Sequence, residues 1–324
     1  MAVREVTVLA AGGTIAMAGA NGAVPELDAA GLVDAVPELV GLPGLRAQTL
    51  AGWPGVHVTA SDALAIARAA VAEAAGGRGV VVTHGTDTLE ETAVLCDLLH
   101  GGDAPIVVTG AVRPASATGA DGPANLLDAV RAAGAAATAG LGALVCFGGE
   151  LHAARGVRKT DSVSPRAFSS PRTGPVGRVA EASVETWAAP ARRPPLPVAQ
   201  LDARVEIVTA ALGADGAMLE AAIGAGADGL VVVLLGAGHA PPAFLDACRR
   251  AARRLPVVAC VRPERGRILR DTYGFAGGER DVREAGLICA PALSPAAARI
   301  TLMACLGAGH SRVATAAVFA ADDP

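Results

Sequence analysis

The feature that most constrains this chain is the alternation of short apolar runs with longer helix-forming stretches, repeated from one end to the other. Residues 5–10, 79–83, 105–109 and 141–147 are runs of strand length rich in Val, Ile, Leu and Ala. Between them lie stretches with helix start and stop signals. Ser61 can cap a helix that runs to Ala75, where Gly76-Gly77 stops it. Thr88-Leu89-Glu90-Glu91 has the form of a capping box, and the helix it opens ends near His100-Gly101-Gly102. Asp121 can cap a helix through Arg131. Strands covered on both faces read as continuous apolar runs, and parallel neighbours need a crossover, usually a helix. The pattern therefore predicts an α/β fold: a mixed, mostly parallel sheet flanked by helices.

Pro190, Pro194, Pro195 and Pro197 crowd one short segment. Nothing regular survives that density, so 188–203 is expected to be a linker between a larger domain over 1–187 and a smaller one over 204–324. Past it the alternation resumes. Residues 204–209, 229–235 and 256–261 predict strands, and 215–223 and 241–254 predict helices. Ser294-Pro295, a good cap followed by a good first helical residue, opens what reads as the last helix. The second domain is expected to be α/β as well.

Composition narrows the function. Hydrophobic residues make up 52% of the chain but aromatics only 2%, so Ala, Val, Leu and Gly must build the core and let helices pack close to a sheet. A net charge of -4 signals no basic surface, and few aromatics are present to stack bases; nucleic acid is not an expected partner. The uncharged stretch 132–149 holds five glycines and reads as helix end, loop and strand rather than a membrane span. No basic start, apolar stretch and cleavage site precede the first strand, so a cytoplasmic protein is expected. The six cysteines lie far apart, mostly in apolar runs, and read as reduced core thiols. Neither CxxC nor HExxH occurs, and GxGxxG is absent, so no metal and no cofactor is expected.

Polar residues that follow buried strands are candidates for chemistry, because ligands of open parallel sheets bind beyond the carboxyl ends of the strands. The first strand runs into Ala11-Gly12-Gly13-Thr14-Ile15, and the strand ending at Thr83 runs into His84-Gly85-Thr86-Asp87-Thr88. If these strands are neighbours, Thr14 and Thr86 meet at one edge. Glycine at both turns lets a substrate approach backbone N–H groups that can bind an oxyanion. Ordinary strand-to-helix turns use the same residue types, so neither segment is decisive alone. Lys159 is a separate clue: it is the one lysine among 27 basic residues, the rest being arginine. A lysine can exchange a proton where an arginine cannot, although one lysine also fits a chance surface position.

Several of these segments resemble the signatures of bacterial-type L-asparaginases, the asparaginase/glutaminase family of threonine amidohydrolases. Gly12-Gly13-Thr14-Ile15-Ala16 is similar to the first signature, and Thr83-His84-Gly85-Thr86-Asp87-Thr88-Leu89-Glu90-Glu91-Thr92 to the longer second one. Gly110-Ala111-Val112-Arg113-Pro114, the segment Ala120-Asp121-Gly122-Pro123-Ala124-Asn125-Leu126, and Arg155-Gly156-Val157-Arg158-Lys159-Thr160 continue the likeness. It spans nearly the whole chain. The resemblance implies hydrolysis of L-asparagine to L-aspartate and ammonia, with a homodimer or homotetramer as the assembly. It makes Thr14 the nucleophile that forms an acyl-enzyme. Thr86, Asp87 and Lys159 form the second set: Lys159 lowers the proton affinity of Thr86, and Asp87 holds Lys159 and binds the substrate ammonium. Gly13 and Gly85 are the backbone approach points.

Two departures from the family pattern stand out. The tyrosine that the family places shortly after the first signature is missing from 18–27; the sole tyrosine is Tyr273, which is either structural or reaches a site, its own or a neighbouring subunit's. The serine that would bind the substrate carboxylate is replaced by Gly55 in Trp53-Pro54-Gly55-Val56-His57, which shifts that task to backbone N–H groups or to His57. His239 and Glu279 are either satisfied loop residues or contributors to a partner's site. Competing functions are a glutaminase-asparaginase or related amidase, and a catalytically silent amino-acid-binding protein of the same fold. Ammonia release from asparagine, glutamine and D-asparagine separates them.

Overall fold

A computed structural model describes residues 4–19, 22–290 and 292–321. By its internal contacts the chain divides into two units, Met1–Pro195 and Leu196–Pro324.

In the first unit the opening apolar run becomes β1 (Val6–Gly12), buried at every residue. A short antiparallel ribbon follows, β2 (Met17–Ala18) with β3 (Val24–Pro25). Then come α1 (Ala29–Asp34), β4 (Leu45–Trp53), α2 (Ala60–Ala75) and β5 (Gly79–Thr83). The alternation continues through α3 (Leu89–Leu99), β6 (Ile106–Thr109), α4 (Gly122–Gly134) and β7 (Ala143–Phe147). Short strands end the unit: β8 (Glu150–Ala153), β9 (Arg158–Lys159), β10 (Phe168–Ser169), β11 (Gly177–Ala180) and β12 (Ser183–Thr186).

The main sheet has eight strands in the order β12-β11-β8-β7-β6-β5-β1-β4. β4, β1, β5, β6 and β7 are mutually parallel, and β8, β11 and β12 add on antiparallel. The sheet is therefore mixed and mostly parallel, as the alternation predicts. Val8 and Val81, with Val107, Leu126, Ala129, Val130 and Ala133, belong to one buried cluster. The low aromatic content shows in how near α4 comes to the sheet: a Cβ on Gly79 would fall 2.0 Å from the Ala133 carbonyl oxygen.

Helix starts differ in detail from the sequence reading. Thr59, not Ser61, caps α2, through a capping box: its hydroxyl accepts the Asp62 N–H (3.2 Å) and Asp62 accepts the Thr59 N–H (3.0 Å). The Thr59 hydroxyl, which meets Asp62 Oδ2 at 2.6 Å, and then the Thr59 N–H hold the Asp62 carboxyl below its ordinary range. Thr88 precedes α3 but makes no cap bond, because its hydroxyl donates to the Gly55 carbonyl instead. Asp121 likewise leaves its own helix uncapped and accepts the Val112 and Arg113 N–H groups at 3.0 and 2.8 Å. β4 escaped the pattern because it is an edge strand, where Arg46 and Gln48 break the apolar run.

The second unit holds β13 (Val205–Thr209), α5 (Ala217–Gly224), β14 (Gly229–Leu234), α6 (Pro242–Ala252) and β15 (Val257–Val261). α7 (Glu279–Glu284), β16 (Ile288–Cys289), α8 (Pro295–Gly307) and α9 (Arg312–Ala320) follow. Its sheet is four-stranded and parallel, β13-β14-β15-β16. Ser294 caps α8 by accepting the Ala297 N–H at 3.0 Å. α8 is not the last helix, however, since Ser311 caps α9 in the same way.

None of the six cysteines is in a disulfide, and five of them are buried. Burial pushes Cys96 and Cys248 up to about 12. Among the described residues no helix is long and apolar enough to cross a membrane.

Candidate active site

β1 and β5 are neighbours, with Ala10 level with Thr83, so the turns that follow them emerge side by side. Thr14 begins a tight turn immediately past β1 and is half-buried. Gly13 before it sits at φ +85°, a backbone conformation open to glycine and strained for other residues. A Cβ on Gly13 would lie 2.4 Å from the Gly85 nitrogen, and one on Gly85 would lie 2.4 Å from the Gly55 Cα. Gly13, Gly55 and Gly85 thus bring three backbone segments to one crossing, with no room for a side chain at Gly13 or Gly85 and only a tight fit, 3.0 Å from the Gly85 Cα, for a Cβ at Gly55. The crossing is fastened by Gly13 N–H donating to the Trp53 carbonyl (2.9 Å) and by Thr88 donating to the Gly55 carbonyl (3.0 Å).

Lys159 reaches this region from outside the main sheet. It lies on β9, which pairs with β10 so that Lys159 is level with Phe168. The buried Phe168 ring packs on Phe147 at the end of β7, with centroids 4.9 Å apart, and so anchors the hairpin. Lys159 Nζ donates to Thr86 Oγ1 at 2.9 Å and to Asp87 Oδ1 at 2.6 Å. Thr86 is 7% exposed, whereas the Asp87 side chain is 57% exposed. The threonine hydroxyl is therefore largely shielded from water while the carboxylate stays open to a solute. An ion pair that borders solvent stabilises the fold by only about 0–1 kcal/mol. Its value lies in orienting the hydroxyl and the carboxylate.

Buried polar groups that sequence reasoning did not single out support the turns. Burial draws the His84 imidazole below its ordinary value, although the Gly85 carbonyl opposes this. The Gly85 oxygen can only accept, so Nδ1 carries the hydrogen at 2.9 Å, and Nε2 accepts from Thr92 at 3.1 Å. Asn125 donates to the Gly110 carbonyl (2.9 Å) and accepts the Gly148 N–H (3.1 Å), tying the segments after β6 and β7 together. The available signal was modest: both residues fall inside family-like segments, but no spacing rule marks them as partners.

The other expected residues are placed as follows. His57 is exposed, and its backbone N–H already donates to the Pro54 carbonyl at 2.9 Å, which leaves the imidazole for any ligand. Of 18–27, Ala20 and Asn21 lie outside the described residues; the rest includes the β2–β3 ribbon. Tyr273, His239 and Glu279 form a cluster in the second unit. Glu279 is buried and accepts the Thr272 and Tyr273 N–H groups at 2.6 and 2.7 Å. His239 Nε2 is 3.6 Å from its other oxygen, and the His239 ring meets Tyr273 edge-on with centroids 4.8 Å apart. Among the described residues no group of three or more His, Cys, Asp or Glu side chains is placed to hold a metal ion.

Fold and site define an α/β enzyme whose polar groups gather past the carboxyl ends of its parallel strands. Residues 5–192 match the family described as "Asparaginase, N-terminal", and residues 204–319 match "Glutaminase/Asparaginase C-terminal domain". The chain belongs to the asparaginase family. It is 40% identical over 310 residues to a "Probable L-asparaginase" of Deinococcus radiodurans, covering 93% of this chain and 92% of that one. It is 31% identical over 318 residues to "L-asparaginase 2" of Escherichia coli, covering 94% and 90%. A solved structure titled "Crystal Structure of Probable Cytoplasmic L-asparaginase from Campylobacter jejuni" superposes with a TM-score of 0.86 at 29% identity, covering 97% of this chain and 98% of that one.

Proposed function

We propose that this protein is an L-asparaginase that hydrolyses the side-chain amide of L-asparagine through an acyl-threonine intermediate. The observation that carries the reading is the sole lysine of the chain donating to both Thr86 and Asp87, beside the backbone crossing from which Thr14 emerges. In this reading Thr14 Oγ attacks the amide carbon. Its proton passes to the departing nitrogen, ammonia leaves, and water then cleaves the ester to give aspartate and free Thr14. A threonine hydroxyl is a weak nucleophile until a partner takes its proton. Lys159 favours the deprotonated form of Thr86 by charge and hydrogen bonding. Asp87, open to solvent, receives the substrate ammonium. Backbone N–H groups of the turns that carry Thr14 and Thr86 serve the oxyanion and the carboxylate, with the His57 imidazole as a further carboxylate partner. No cofactor is needed for this chemistry.

The proposal extends to a cytoplasmic homodimer or homotetramer. The neighbour titled cytoplasmic supports the location. Exposed Leu212, Met218 and Val313 on the second unit support an interface that would cover them. The test is ammonia release from asparagine, glutamine and D-asparagine by the purified protein and by Thr14→Ala. The parent should turn over asparagine, and Thr14→Ala should lose several orders of magnitude in turnover while keeping its unfolding temperature. A Thr14→Ala enzyme within about threefold of the parent would remove Thr14 as nucleophile.

A further inference from the structure

Lys159 is held at both ends by one stretch of chain. Its Nζ meets Thr86 and Asp87, and its backbone N–H donates to Glu90 Oε2 at 2.9 Å. Glu90 lies in the first turn of α3, directly after the turn that carries Thr86 and Asp87. The strand that bears Lys159 is only two residues long and pairs with β10, not with the eight-stranded sheet. Phe168 anchors that hairpin from one side through Phe147. Glu90 ties the lysine backbone itself to α3. A lysine side chain is a flexible four-carbon stem that can point its ammonium in many directions. Where Nζ falls therefore depends on where the backbone nitrogen is held, and Glu90 refers that nitrogen to the segment that holds the ammonium's partners.

We propose that Glu90 is a positioning residue for the reaction. It holds the Lys159 backbone so that the ammonium meets Thr86 and Asp87, and it acts through Lys159. The inference rests on the role given to Lys159 above. The property it needs is an acceptor oxygen at this point. Glu90→Gln keeps one, whereas Glu90→Ala and the similarly long Glu90→Met do not.

The test is a double-mutant cycle on the full chain, with kcat for asparagine as readout and thermal unfolding recorded for every variant. Misplacing a group by about 1 Å can cost about 100-fold in rate. Glu90→Ala and Glu90→Met should each lower kcat by roughly 10- to 100-fold, while Glu90→Gln should stay within about threefold of the parent. In the Lys159→Met background, adding Glu90→Met should change kcat by less than about twofold, because the group it positions is already gone. If Glu90→Met costs the same factor with and without Lys159, the positioning role is overturned and the function of Lys159 stands. Glu90→Gln as damaging as Glu90→Met would also overturn it, since an acceptor oxygen would then not suffice. Parental kcat in Lys159→Met would instead refute the lysine's role, and with it the need to position that residue.

Discussion

The crossing of Gly13, Gly55 and Gly85 makes a sharp prediction for Gly85→Ala. The added Cβ would stand 2.4 Å from the Gly55 Cα and 2.7 Å from the Gly55 nitrogen. Carbon atoms in contact sit about 3.5–4.0 Å apart, so one of the two segments must move by roughly 1 Å. Both obstructing atoms are backbone, and no side-chain rotation relieves the clash. Overpacking of this kind costs about 1–3 kcal/mol. For a unit the size of Met1–Pro195, each kcal/mol lowers Tm by about 2–4 °C, so the fall should be about 2–12 °C. The same displacement moves the turn bearing Thr86 and Asp87, and a 1 Å error there should cost about 100-fold in kcat. Differential scanning calorimetry gives the first quantity and ammonia release the second. Gly224→Ala is the control: nothing lies within 4 Å of its added Cβ, it ends α5, and it should leave Tm and kcat unchanged or Tm slightly higher. A Gly85→Ala protein with Tm within about 1 °C and kcat within about threefold of the parent would refute the tight crossing, because no overpacking term of this size could then be present.

Three further outcomes are expected. Asparagine should be favoured over glutamine by at least about tenfold in kcat/KM, since one methylene in a shaped pocket is worth about 1–3 kcal/mol; equal efficiencies would show that side-chain length is not read. Burial lowers the values of His84, of His100 (helped by the Arg192 charge and opposed by the Ala104 carbonyl, Asp97 and Asp103) and of His152 (opposed by Glu150). The unfolded chain therefore takes up protons below about pH 6.5 that the folded chain refuses, and stability should fall as pH drops from there; a Tm constant between about pH 7 and 5.5 would contradict it. With Cys96 and Cys248 pushed up to about 12 and five of the six thiols buried, a thiol reagent at neutral pH should titrate at most Cys289 in the folded protein and all six after denaturation; rapid reaction of several thiols in the folded state would refute this.

Much of the scaffold was legible because it rests on local periodicity. β5 spans 79–83 as its apolar run suggests, and β14, β15 and α6 lie within a few residues of the runs that predicted them. Capping was legible only in part. A capping signature says which oxygen can cap a helix, and in Thr88 and Asp121 that oxygen is taken by residues outside the helix, the distant Gly55 for one and the preceding 112–113 turn for the other. β4, α7 and the short strands β8, β11 and β12 carried no clear pattern, since each is exposed on one side or too short to show a period.

For the site, the sequence by itself determined which residues are chemically able: threonines after glycines at strand ends, a carboxylate beside one of them, and a single lysine in a chain of arginines. These are properties of residue type and of position relative to a buried run. Only the tertiary structure decided that β1 lies next to β5, that three glycine backbones meet at one point, and that a two-residue strand delivers Lys159 to Thr86 and Asp87. The pairs that matter are separated by 73 and 72 residues for Lys159 with Thr86 and Asp87, and by 69 for Lys159 with Glu90. Contacts at such separations depend on strand order and on how closely backbones approach, and no helical or strand period within the sequence records either.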